Sequence, residues 1–515
     1  MLPGAVIEAI LAGIIRYAQE ECIKSNRAYE RPSQAQSDLI NVYGVPVGPN
    51  VVFLNQASNS IWIRDYGANP VYMNDVDSLI LVDWKYNRPQ RVQDDSLPRA
   101  YARHLNLDLY QTTNAPNRLV HTGGNYMSDG FGNGFSSELV LDENTDKTET
   151  EINNIMNSFM GIEPYIKMQT LPYDGIHHID MHMKLLDEET LLIGEYPQGI
   201  ADGPQIEANM LYVLDNYTSV FGTPYKIVRI VQPPDGNDRY PNQNGDYRTY
   251  SNAVFVNKTV LLPVYEEQYD TTALRIWREN LPGYRVVGIN CNSIISASGA
   301  IHCITHSVGV NDPLLISHQA LHDTYDTENN YQVSALIRHR SGISNAKLYW
   351  TTDTTQAYEL VDMTVTDEAN HIFTGFIPAQ PAGTEVFYFI GATAESGKSQ
   401  VRPIVAPDGS WSFMVLDSGL VTGLAKQVTE NLFSLKAFPN PASGLVCVPL
   451  QSEIPLSVKL EVLDITGRVV EEVFEGRIQT GEKRFYLHTQ NWQPGIYLIR
   501  ATTHSGSVVQ RITVQ

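Results

Sequence analysis

Cysteine is scarce in this chain: four residues, at 22, 291, 303 and 447, among 515. Thiols so few and so scattered cannot make the disulfide framework of a small secreted scaffold, and their spacing excludes a zinc knuckle or ribbon. A single reactive thiol remains open. Positive charge is also short, with 36 Lys and Arg against 57 acids and a net charge of -21. That balance disfavours nucleic acid as a partner and attracts cationic substrates. No uninterrupted apolar run approaches the ~20 residues that a transmembrane helix requires. With 43% hydrophobic and 18% charged residues the chain is globular in composition, and its length calls for roughly two to four domains.

Residues 3–24 read as an amphipathic helix, with Pro3 suited to the first turn and Ile7, Leu11, Ile14, Ala18 and Cys22 on one face. Glu8 and Arg16 interrupt any signal-like apolar region and no small-residue cleavage site follows, so a domain helix is expected. Up to about residue 330 a helix-then-strand unit recurs. Helical patterns near 4–24, 95–105, 149–160, 204–219 and 271–281 lead into apolar strands near 51–54, 107–110, 165–168, 225–230 and 285–289. Five similar units predict a closed repeat, with equivalent strand ends converging on an axis. Residues 331–418 turn to short alternating stretches separated by turn residues, the pattern of a β-sandwich. A helix-like spacer near 420–432 precedes a second β-rich segment, 433–515.

Residues with chemical capacity lie just beyond the repeat strands. The first strand is followed by Trp62, Arg64, Asp65, Tyr66 and Gly67, and the second by His121 through Gly124. After the third come His177, His178, Asp180 and His182, after the fourth Asn252, and after the fifth Gly299, His302 and Cys303. Read as a strand, the third cluster places His178, Asp180 and His182 on one face. That face suits either a His-Asp catalytic pair or metal ligands, and a structural histidine is a third reading. On an extended run, Cys303 faces away from His302, with Gly299 permitting close backbone approach. Cys291 lacks an acid-base neighbour in sequence; Cys22 and Cys447 read as helix and strand packing. A thiol, a histidine and two carboxylates suit attack on a guanidinium, whose paired donors a carboxylate meets in bidentate fashion.

These blocks resemble the agmatine deiminase and peptidylarginine deiminase group, over roughly residues 1–325. The resemblance implies an α/β fold: a five-bladed propeller (pentein) catalytic domain over 1–330, then an immunoglobulin-like β-sandwich over 331–418. A small C-terminal β-sandwich over 433–515 is similar to a type IX secretion sorting domain through Phe438 to Ala442, Leu463 to Arg468 and Gly495 to Arg500. It also implies Cys303 as nucleophile, His178 as general acid/base, Asp65 and Asp180 as guanidinium-binding acids, and Asn252 in support. Trp62 of the Trp-x-Arg-Asp-Tyr-Gly block, with Arg88 and Arg91, is expected at the substrate. A covalent thiouronium intermediate is implied, without metal, redox or nucleotide cofactor. Thr122 stands where agmatine enzymes usually carry Glu, so arginine-containing peptides or proteins are the expected substrates. Agmatine, free arginine, or a catalytically inactive adhesion role are the alternatives. The sorting domain implies the type IX machinery as a partner and a secreted or outer-membrane-attached location, which calls for an upstream signal peptide. Opening strands typical of the group are missing, and a truncated or misassigned start is the expectation.

Overall fold

Helical apolar spacing followed by short β-branched runs builds five small sheets before residue 291, seen in a computed structural model. The structure describes residues 4–21, 25–29, 32–200, 202–416 and 433–514, apart from 439, 443, 453, 465–467, 491 and 504–505. The readings of Cys22 and of the 420–432 spacer lie outside the described residues. The chain divides into two units, one running to Leu315 and taking in Pro407–Gly409, the other holding the remainder.

In the first sheet, Ser25–Tyr29 and Val51–Asn55 pair in parallel across helix Pro32–Asn41. The other four share one plan: an antiparallel pair, a crossover helix, and a third strand parallel to the second. The second sheet uses Asn69–Met73, Ser78–Tyr86, helix Leu97–Leu105 and Leu109–Thr112. The third uses Met127–Ser128, Gly134–Ser137, helix Glu149–Met160 and Tyr165–Met168. Met183–Leu185, Thr190–Glu195, helix Gly203–Asn216 and Lys226–Val231 form the fourth. Val254–Val256, Thr259–Val264, helix Glu267–Asn280 and Arg285–Asn290 form the fifth. A parallel pair needs a crossover connection, which is why each such strand is preceded by a helix. Helix Glu149–Met160 is started by a Thr148–Glu151 capping box and stopped by Gly161, whose φ of 67° suits a residue without a Cβ.

The α/β class and the five helix-then-strand units follow the expected pattern; among the described residues no sheet closes on itself. Strand Ser25–Tyr29 and helix Pro32–Asn41 were not foreseen, because neither carries a strong apolar period. The middle strands Thr190–Glu195 and Thr259–Val264 are buried almost throughout and so read as continuous apolar runs rather than alternating ones. They join a core that includes Phe135, Ile166, Met181 and Trp277, and that also takes in Ile301 and Ile304. Those last two anchor the turn carrying Cys303.

The second unit is built of strands. Residues 315–414 form a four-stranded and a five-stranded sheet, and Tyr331–Arg338 alternates buried residues with exposed or half-buried ones along its length. Residues 433–514 form a three-stranded and a four-stranded sheet around a core including Phe433, Val448, Leu460, Leu487, Ile499 and Ile512.

Candidate active site

Cys303 lies in a turn over 301–304, not on the extended run expected, so it and His302 are not on opposite faces. The thiol is 2% exposed, and Asn252 Nδ2 donates to its Sγ at 3.2 Å. Asp180 Oδ2 stands 3.7 Å from the sulfur. Burial, and then the charges of Asp180 and Asp65, push the thiol well above its ordinary value, while the Asn252 contact opposes the shift. Gly299 permits the turn: a Cβ there would stand 2.5 Å from the Trp62 ring and 3.2 Å from the Cys303 Cβ.

His178 caps the start of a short 3-10 helix, Ile179–Met181, and Asp180 lies within it, rather than the two alternating along a strand. This corrects the shared face read for His178, Asp180 and His182. His182 is buried with both ring nitrogens unpartnered, and burial alone pulls it down to about 4. Among the described residues no group of three His, Cys, Asp or Glu is disposed to hold a metal. His178 is positioned by its neighbours. Its amide donates to Asp174 Oδ2 at 3.0 Å, and the preceding carbonyl accepts from Ser137 Oγ at 2.6 Å. His177 adopts φ 57°, a left-handed conformation uncommon outside glycine, to make that corner. Burial holds His178 below its ordinary value, against the opposing charge of Asp65, whose Oδ1 is 3.7 Å from Nδ1.

Asp65 comes from the single-turn helix Ile63–Tyr66, and Gly124 N donates to its Oδ1 at 3.2 Å. Asp180 is raised above the carboxylate range by burial and then by the charge of Asp65, and its Oδ1 has no partner. Ser251 Oγ donates to the Asp180 carbonyl at 3.1 Å, joining the Asn252 segment to it. Thus the segments after all five parallel strands contribute, the second through the Gly124 backbone. The Trp62 ring packs at Gly299, on the turn that carries Cys303. Arg88 lies within electrostatic range of His178, whereas Arg91 is engaged by Tyr86 OH at 2.9 Å and Ser60 Oγ at 3.4 Å.

Three further residues belong to this cluster: Arg64 and His302, which had no role assigned from sequence, and Lys184, which sequence reasoning missed. Arg64 donates its amide to Cys303 O at 3.1 Å and its Nε to His302 O at 3.3 Å, leaving a buried Nη2 without a partner. His302 Nδ1 lies 2.7 Å from Asp180 Oδ2. Lys184, half-buried, is within electrostatic range of Asp180 and Cys303, and its desolvation holds it below the usual lysine value. The sequence signal was adjacency: Arg64 and His302 directly flank two singled-out residues. Cys291 is fully buried, and burial alone raises it, with no carboxylate or histidine beside it.

Comparison with known proteins places this geometry in a family. Residues 5–308 match the family model of the Porphyromonas-type peptidyl-arginine deiminase, and residues 436–515 match that of a secretion system C-terminal sorting domain. A relative from Mycoplasma mycoides, provisionally named an agmatine deiminase, is 24% identical over 288 residues, covering 50% of this chain and 76% of its own. A solved structure provisionally titled a peptidyl-arginine deiminase aligns with TM-score 0.50 and 20% identity, over 58% of this chain and 89% of that one. The agmatine deiminase of Enterococcus faecalis aligns with TM-score 0.50 and 18% identity, over 58% and 87%. The chain therefore belongs to the Porphyromonas-type peptidyl-arginine deiminase family and carries a secretion-system sorting domain at its C-terminal end.

Proposed function

We propose that this protein hydrolyses the guanidinium of arginine in peptides or proteins to citrulline and ammonia, with Cys303 as nucleophile. The observation that carries the reading is a set of buried polar atoms left unpartnered around one thiol. They are Asp180 Oδ1, both ring nitrogens of His178, and Arg64 Nη2. Unmade bonds in a dry site cost stability unless a ligand completes them. Asp65 and Asp180 supply the two anions that a planar cation between them would pair with.

The same charges explain how a buried thiol becomes reactive. In the free enzyme burial disfavours a thiolate first and the charges of Asp180 and Asp65 second, and burial also raises Asp180, so that it ionises fully as a cation binds. A guanidinium bound to them cancels that repulsion, so substrate binding itself favours ionisation. The thiol proton passes to His178, which burial keeps neutral and ready to accept it. Sγ bonds to the guanidinium carbon, and the tetrahedral adduct expels ammonia carrying the proton from His178, leaving an alkylthiouronium on Cys303. Water then gives a proton to His178 and bonds to the same carbon. The C–S bond breaks with its electron pair going to sulfur, the hydroxyl proton leaves to solvent as the carbonyl forms, and His178 returns its proton to the thiolate as citrulline departs. Asn252 Nδ2, at 3.2 Å from Sγ, steadies the developing thiolate.

We assign this activity to residues 1–330, in a ring of five blades, with an immunoglobulin-like domain over 331–418 and the sorting domain over 433–515. The sorting domain points to a secreted or surface-attached protein. Agmatine is the second reading, favoured by the name of the Mycoplasma relative. The test is turnover on peptides with C-terminal or internal arginine and on agmatine, following ammonia and the ureido product. Citrulline from peptides supports the first reading, turnover of agmatine alone supports the second, and an inert enzyme overturns both.

A further inference from the structure

We infer that His302 is a positioning residue, holding Asp180 in the orientation that receives the substrate guanidinium. The inference rests on the assignment of Asp180 as a substrate carboxylate made above. His302 is fixed at three points. Its amide is directed at Asn252, with Oδ1 at 3.0 Å and the backbone oxygen at 3.1 Å. Its carbonyl accepts from Arg64 Nε at 3.3 Å. Its ring meets Asp180 Oδ2 through Nδ1 at 2.7 Å, the distance of a charge-assisted hydrogen bond.

Asp180 has little else to orient it. Its other carboxylate oxygen, Oδ1, is buried without a partner, and the contact of Oδ2 with the Cys303 sulfur is long at 3.7 Å. Arg64 and Lys184 act on it as charges, which favour the anion without setting a torsion. The His302 hydrogen bond is directional. A neutral imidazole with its proton on Nδ1 donates to Oδ2 and leaves Oδ1 open to a guanidinium N–H. The three anchors come from different segments, Arg64 before the second sheet, Asp180 before the fourth and Asn252 before the fifth: two fix the His302 backbone and the third fixes its ring. Removing the ring frees the carboxyl to rotate and takes away a donor to its anion, strengthening a hold on the proton that burial already favours, and a protonated acid no longer pairs with a cation.

The test compares His302→Ala, His302→Asn and His302→Gln in the full chain, using the best substrate among agmatine and the arginine peptides. The kinetic split between KM and kcat is read, together with the Kd of that substrate for each variant in a Cys303→Ser background. His302→Ala should raise KM and Kd by about ten- to a hundredfold, the loss of one charge-assisted bond. Asn carries an amide donor near the position of Nδ1 and should restore most of that affinity, whereas Gln places its donor one bond further out and should not. Because His302 acts through Asp180, adding His302→Ala to Asp180→Asn should weaken binding no further. A His302→Ala enzyme with unchanged Kd overturns the inference, as does an Asn variant no better than Ala or an additive double variant. If Asp180→Asn itself leaves Kd unchanged, the assignment of Asp180 falls first, and the two failures are thereby separated. A parent chain without turnover or binding overturns both. Melting curves of the variants check folding, and the Asn variant supplies the folded comparison if Ala is unstable.

Discussion

Gly124→Ala is a sharp test of the site, because one added carbon meets its two chemical partners. A Cβ at that position would lie 2.4 Å from His178 Nδ1, 3.2 Å from its Cε1 and 3.0 Å from Asp65 Oδ1. Ordinary contact begins near ~3.5 Å, so the imidazole must retreat by about 1 Å. His178 is 3% exposed and its backbone is pinned by the Asp174 and Ser137 contacts, so that retreat misaligns the ring rather than relocating the residue. A misplacement of about 1 Å in a catalytic group costs on the order of 100-fold in rate, or about 2.7 kcal/mol of transition-state stabilisation. Overpacking of this kind destabilises the fold by about 1–3 kcal/mol, a fall of only several degrees in Tm for a unit of this size. The assay is initial ammonia release at saturating substrate beside a thermal melt. Gly123→Ala is the contrast: its Cβ would stand 2.0 Å from the Arg64 carbonyl oxygen, so folding should suffer before chemistry. A folded Gly124→Ala enzyme with kcat within about threefold of the parent would refute the placement of His178 and Asp65 at the reacting centre.

Cys303→Ala should lower turnover by more than about 1,000-fold, while Cys291→Ala, which removes a thiol without acid-base neighbours, should leave it within a few-fold; mass spectrometry of acid-quenched enzyme should find the adduct only on Cys303. Asp174→Asn keeps one oxygen acceptor in place of two, and since Asp174 receives both Ile176 N and His178 N, kcat should fall more than KM rises. Burial pulls His121, His182 and His306 down to about 3, 4 and 3. Their unfolded values lie higher, near ~6.5, so their contribution to stability is present in full above that pH and is lost as pH falls toward about 3–4. These histidines therefore act to lower the urea midpoint between pH 7.5 and pH 5, against the buried carboxyls Asp83, Asp174 and Asp180, whose raised values act in the opposite direction. His182→Leu, which replaces a ring with two unpartnered nitrogens, should raise the midpoint by about 1 kcal/mol equivalent and flatten that slope; a midpoint lowered at both pH values would argue that the ring packs productively.

Much of this was legible in the chain itself, and the misses share a cause. Helix Glu149–Met160 and strand Tyr165–Met168 fall where the apolar period placed them, because burial of one face dictates both. The residues brought to the thiol, Asp65, His178, Asp180 and Asn252, were recognisable by type and by their recurrence after successive strands. Their local conformations were not. Alternation at 178–182 imitates a strand, but the amide of His178 is taken by Asp174 and the next residues wind into a 3-10 turn. His302 was read as facing away from Cys303 on the same mistaken premise of an extended backbone. Arg64 and Lys184 gain their place from partners far away in sequence, which no local period records.

The hydrogen bond from Arg64 Nε to the His302 carbonyl joins residues 238 positions apart. Contacts of such span form late, since the intervening chain must give up its freedom before they can be made. The surroundings of Cys303 are therefore among the late parts of its unit to form. A ribosome-bound or partly unfolded chain carries every residue of the machinery and none of its assembled environment. For a protein bearing a sorting domain, the activity proposed above is absent for as long as the chain stays unfolded.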